Sequence, residues 1–133
     1  MNALDTMLAL SAQGEVKEVA AGESIFRAGD SGDCMFGLLE GTVELTWSEA
    51  HGKETICAGD VFGAGALVTQ QHQRFGNATA ITDCRLLVMN REKFLFAVQE
   101  SPLFAIELLA SIDARLRLLK NVTPSSGREL SSP

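Results

Sequence analysis

From Gly14 to Met89 the chain breaks into short apolar runs, VKEV, SIF, CMFGLL, TVELTW, ETICA, NATAIT and RLLVM, separated by Gly, Asp, Asn and Ser. Runs this short, each bounded by turn residues, suit strands of a small roll or sandwich rather than helices. Thr42 to Trp47 shows the pattern most clearly. Val43, Leu45 and Trp47 alternate with Thr42, Glu44 and Thr46, which puts one face in a core and the other in water. Glu40-Gly41 and Ala50-His51-Gly52 read as hairpin turns, and Ala28 to Asp33 as a longer loop.

Helical spacing flanks this β region. Leu4, Met7, Leu8 and Ala12 recur at helical intervals behind a capping Asn2, which predicts a short helix within residues 2–12. Asn90 is placed to cap a helix from Arg91 to Gln99, and Ser101-Pro102 opens another over 102–120. Phe104, Leu108, Ile112, Leu116 and Leu119 form a stripe along that last helix, flanked by Leu109. Such a stripe packs on the β region or faces a second copy. Beyond it, VTPSSGRELSSP has the Ser and Pro content of a disordered tail. The expectation is a mainly β jelly roll, or double-stranded β-helix, of about eight strands with an N-terminal helix and two C-terminal helices. One domain occupies 1–120 and a disordered tail 121–133.

Composition narrows the function. A chain of 133 residues, 46% hydrophobic, holds one core without disulfide or metal staples. Eleven Lys and Arg against seventeen Asp and Glu leave a net charge of −6 and no basic patch, which argues against nucleic acid and anionic membrane as partners. Cys34, Cys57 and Cys84 are odd in number and include no C-x-x-C pair, so neither a disulfide framework nor a zinc site is expected; they read as small core hydrophobes. The apolar run Met7 to Leu10 is too short for a signal-peptide core, and no stretch approaches the ~18 apolar residues of a membrane span. A cytoplasmic setting follows as an expectation, in which the Asn-x-Thr triplets at Asn77 and Asn121 carry no glycosylation.

No catalytic or metal-binding constellation stands out. Gly63-Ala64-Gly65-Ala66-Leu67-Val68 lacks the third glycine and the βαβ setting of a dinucleotide fold, and Gly52-Lys53 lacks the rest of a phosphate loop. His51 and His72 do not pair with the scattered cysteines, and His72 reads as a solvated loop residue. What remains is Phe62, Gly63, Ala64, Gly65 and Ala66, followed after a polar stretch by Arg74, Phe75 and Gly76. Small residues expose backbone N–H groups, and a following Arg supplies a fork of donors for a phosphate. The same residues also describe a Gly-rich turn beside a surface Arg.

The order Gly22-Glu23, Gly29-Asp30, Met35-Phe36, Leu38-Leu39-Glu40-Gly41-Thr42-Val43, Gly59-Asp60-Val61-Phe62-Gly63, then Arg74 with Ala78 and Ala80, closely resembles the cyclic nucleotide-binding domain family. The likeness runs from about Gly14 to about Leu118. It implies a non-catalytic regulatory module without a cofactor, in which Arg74 meets a cyclic phosphate or other small anion and the C-terminal helix signals to a second copy or separate partner. That family's cassette normally carries Glu where this chain has Ala64, and Ser or Thr where it has Phe75, so a cyclic nucleotide is expected to bind weakly. A ligand-free interaction module on the same fold is the alternative. Because the chain stops at Pro133 without the helix-turn-helix of the family's transcription factors, DNA binding is not expected.

Overall fold

The computed structural model describes residues 2–10, 14–47 and 51–120. After α1 (Ala3–Leu10) come eight strands: β1 (Glu15–Val19), β2 (Ser24–Phe26), β3 (Cys34–Glu40), β4 (Thr42–Trp47), β5 (Gly52–Cys57), β6 (Val61–Phe62), β7 (Asn77–Ala80) and β8 (Cys84–Asn90). A single helical turn, α2 (Gly65–Val68), lies between β6 and β7, and α3 (Arg91–Glu100) and α4 (Pro102–Leu119) close the fold. All strand pairs are antiparallel, in two sheets of order β1-β8-β3-β6 and β2-β7-β4-β5. The mainly β roll with three flanking helices is therefore present. The expected tail 121–133 lies outside the described residues, as do residues 11 and 12 of the expected first helix.

The helix starts follow from side-chain capping. Asn2 Oδ1 accepts from the Asp5 amide at 2.9 Å while Asp5 Oδ2 accepts from the Asn2 amide at 3.0 Å, a reciprocal pair that satisfies two donors at the head of α1. Asn90 Oδ1 accepts from the Lys93 amide at 2.8 Å and opens α3. Pro102 begins α4 where its missing N–H costs nothing, and α3 and α4 meet at a bend of 111°. No single described helix is long and apolar enough to cross a membrane.

The run CMFGLL is apolar throughout because β3 is covered on both faces. Met35 and Leu39 join the cluster beneath α1, α3 and α4, with Leu4, Met7, Phe94 and Phe104. Phe36 and Leu38 point the other way, into the roll, against Val43, Ile56, Ala78, Ala80 and Leu86. β8 divides its residues in the same manner, Leu87 and Met89 to the helices and Leu86 and Val88 to the roll. The first sheet is thus a partition between two cores, and the second covers only the inside of the roll.

Two expectations need correction. Glu40-Gly41 is not a hairpin turn. β3 and β4 belong to different sheets, and Gly41, at φ +100°, carries the chain from one to the other beside the Cys84 thiol. The reason is that β3 is already paired on both edges, by β8 and β6. Nor are the three cysteines all core residues: Cys84 is buried and Cys34 half-buried, but Cys57 faces solvent at the end of β5, where its neighbour Ile56 takes the inward position.

Candidate functional site

A cavity of about 290 Å³ opens at the end of the roll between the β4–β5 hairpin and the segment from Gly63 to Asn77. The turn before α2 starts at Gly63, whose φ of +83° admits glycine readily and turns the chain out of β6. Of the eight residues singled out from the sequence, Gly63, Gly65, Ala66, Arg74, Phe75 and Gly76 line this cavity. Phe62 and Ala64 do not. Phe62 is 2% exposed and stacks on Phe36 with ring centres 5.3 Å apart, inside the roll, whereas Ala64 packs toward the helical core and precedes α2. The backbone reverses at Gly63, so consecutive residues of this stretch cannot all face one ligand.

Arg74 is the central group. It is 5% exposed rather than a surface side chain. Its Nη1 donates to the Gly63 carbonyl at 2.6 Å and its Nη2 to the Cys34 carbonyl at 2.7 Å. The guanidinium also lies 4.3 Å from the centre of the Phe26 ring and 5.6 Å from that of Phe36. Its backbone is held by the 28–33 loop, since the Arg74 amide donates to the Asp30 carbonyl and the Gly29 amide to the Arg74 carbonyl. Among the described residues no carboxylate lies within ion-pairing distance of it. Burial lowers its pKa, opposed first by the neighbouring Cys34 and then by the more weakly coupled Asp33 and Asp30. Burial likewise raises the Cys34 thiol, with Arg74 the main opposing influence. An Arg remains charged under such shifts, so the site holds a desolvated cation beside the cavity.

The opposite wall was not anticipated. Trp47, expected in the core, is half-buried and lines the cavity with Leu45 and Phe26. Along the inward face of β4, Val43 is fully buried whereas Leu45 and Trp47 are half-buried. Glu54 is paired across from Leu45 and stands on the same inward face as Ile56. The i, i+2 step from Ile56 in ETICA is the signal that places it there. Its carboxylate accepts from Arg115 of α4, Nε to Oε2 at 2.7 Å and Nη2 to Oε1 at 3.3 Å, while Arg115 Nη1 donates to the Val61 carbonyl at 2.7 Å. Phe75, 67% exposed, stands at the rim.

His72 is exposed and in a left-handed conformation, φ +52°. Its Nδ1 lies 2.8 Å from the Ala66 carbonyl, so it is the protonated, donating nitrogen and ties α2 to the strand of loop that leads into Arg74. A larger groove, about 440 Å³, runs between α1, α4 and the Gly59 to Val61 turn and contains none of the anticipated site residues.

Residues 16–101 match the family model described as the cyclic nucleotide-binding domain. The chain is 33% identical over 100 residues to the cyclic AMP receptor protein of Thermus thermophilus, covering 72% of this chain and 46% of that one. It is 32% identical over 99 residues to the global nitrogen regulator of a Synechocystis strain, covering 71% of this chain and 44% of that one. The chain therefore spans about half the length of the curated relatives it matches. Among solved structures, the Thermus thermophilus catabolite activator protein superposes with a TM-score of 0.70 at 27% identity, covering 89% of this chain and 55% of that one. A chain from work on a cyclic-GMP-dependent signalling pathway in bacterial phytopathogenesis gives 0.73 at 25% identity, covering 90% and 94%.

Proposed function

This chain belongs to the cyclic nucleotide-binding domain family, and we propose that residues 1–120 form a non-catalytic sensor module that holds a cyclic nucleotide or similar small anion against Arg74. One observation carries this reading: a buried guanidinium without a carboxylate partner among the described residues faces a cavity large enough for a small organic ligand. An anionic group there would complete a charge that the protein leaves uncompensated. On this reading Gly63, Gly65, Ala66, Arg74, Phe75 and Gly76 touch the ligand, and Phe62 and Ala64, which do not line the cavity, do not. Ala64 offers no carboxylate to a ribose hydroxyl, and a lost hydrogen bond to a charged group weakens binding by roughly 10- to 150-fold, so affinity for cyclic nucleotides is low.

The output of the module is α4. It buries Phe104 and Leu108 but leaves Leu109, Ile112 and Leu116 exposed in one line, a seam suited to a second copy of the chain. With a net charge of −6, the module itself makes no nucleic-acid contact, and its setting is the cytoplasm.

Calorimetric titration with cyclic AMP and cyclic GMP tests the proposal: binding that Arg74→Ala abolishes supports it. A second reading, a ligand-free interaction module, is favoured by the two carbonyls that already accept from Arg74. Absence of binding to either nucleotide at millimolar concentration, with self-association retained, would establish that second reading instead.

A further inference from the structure

Glu54 stands on the inward-facing row of β5. It faces inward, opposite Leu45 and in line with the fully buried Ile56, and its side chain is 13% exposed. Burying an ion pair in such a place contributes little net stability compared with apolar packing, because desolvation of both charges offsets their attraction. Stability alone does not account for a carboxylate there. Its partner Arg115, whose side chain is 20% exposed, occupies one lone pair on each oxygen. A carboxylate has about four such sites, so acceptor capacity remains on a group that lines the cavity. The rest of the lining is mainly apolar, with Phe26, Leu45, Trp47 and Phe75, and also includes the polar Thr46, Gln73 and Asn77.

We propose that Glu54 is a specificity-determining residue of this cavity, reading a hydroxyl or amine donor on a ligand whose anionic group sits at Arg74, and that Arg115 is its positioning residue. The proposal rests on the cavity being the ligand site. The ligand class it implies is an anion with an apolar or aromatic body and a hydrogen-bond donor on the side away from its charge. Glu54 thereby supplies from β5 a carboxylate that Ala64 does not supply from the cassette. Arg115 belongs to α4 and also holds the Val61 carbonyl, two residues before the Gly63 carbonyl that accepts from Arg74. Donor recognition at Glu54 and the seating of α4 therefore share one guanidinium.

The test is titration of the full chain with cyclic AMP, cyclic IMP, which lacks the exocyclic amine, and 2′-deoxy-cyclic AMP, which lacks a ribose hydroxyl. In the wild type, whichever analogue has lost the donor that reaches Glu54 binds roughly 10-fold or more weakly than cyclic AMP. Glu54→Gln keeps the shape and an acceptor for Arg115; it weakens cyclic AMP by a similar factor and closes the gap between probes. Arg115→Gln narrows the same gap, and Arg115→Lys restores part of it, whereas a purely structural role for Arg115 would lower all three affinities alike. If all three probes bind the wild type equally, or if Glu54→Gln keeps wild-type affinity while Arg74→Ala abolishes binding, the role of Glu54 is overturned and the ligand site stands. If the wild type binds none of the three, the cyclic nucleotide reading of the cavity falls and the role of Glu54 falls with it.

Discussion

The indole of Trp47 lies across Gly52, its partner on the neighbouring strand, so closely that a Cβ at position 52 would land on the ring. That contact sets one wall of the cavity, since Trp47 lines it and Gly52 leaves the space the ring occupies. Gly52→Val therefore displaces the indole toward solvent. Because Trp47 is the only tryptophan, intrinsic emission reads the change directly. A red shift with the overall fold retained is expected; an unchanged spectrum would mean that the ring is not held there in solution.

Arg74 links the turn at Gly63 to β3 through the carbonyls of Gly63 and Cys34. Arg74→Met fills similar space but leaves both carbonyls without that donor. Urea unfolding should show a loss of about 1–3 kcal/mol, the cost of a buried unsatisfied group, together with loss of any cyclic nucleotide binding. Stability equal to the wild type would show that water replaces the guanidinium without penalty.

The thiol of Cys34 gives an alkaline signature. Burial raises it above its ordinary value of 9.0, against the opposing pull of Arg74. With the folded-state pKa above the unfolded one, the folded chain holds this proton more tightly. The resulting stabilisation is complete below about pH 9 and is lost as pH rises through the folded-state value. Urea midpoints should fall above pH 9, and Cys34→Ala should flatten that decline. The chain contains no tyrosine, so no phenol titrates across the same range.

Exposure ranks the thiols as well: Cys57 is exposed, Cys34 half-buried and Cys84 buried. A maleimide at neutral pH should modify Cys57 first and Cys84 only on unfolding. Rapid labelling of Cys84 in the native chain would contradict its place at the sheet crossing.

Ile112 and Leu116 are 42% and 44% exposed on α4, one turn apart and next to Leu109. A second copy seated there makes the wild type a dimer in light scattering, and replacing both residues with Glu returns it to monomer by placing charge in the seam. A wild type that stays monomeric at high concentration ends this assignment.

The strands and helices were largely legible from the sequence, and so was Arg74 as the group to watch. The stripe on the last helix was legible only as a periodicity. Phe104 and Leu108 pack inward while Ile112 and Leu116 do not; in the second half of α4 it is Arg115 that meets the roll, at Glu54 and the Val61 carbonyl. CMFGLL read as a strand, but its apolar residues serve two separate cores, which no window along the chain distinguishes from one. Trp47 looked like core by alternation, but it is half-buried and forms a wall of the cavity at the end of the roll.

By itself the sequence determined what depends on neighbours in the chain: alternation in TVELTW, caps at Asn2 and Asn90, the break at Ser101-Pro102, and the turn at Gly63. These are settled within a few residues by backbone geometry and hydrogen-bonding chemistry. Tertiary structure alone decided which sheet each strand joins, that Arg74 is buried among Phe26, Phe36 and the Cys34 carbonyl, and that Glu54 meets Arg115 from 61 residues away. Those outcomes depend on which surfaces cover one another, and burial and charge pairing are properties of the packed whole rather than of any segment.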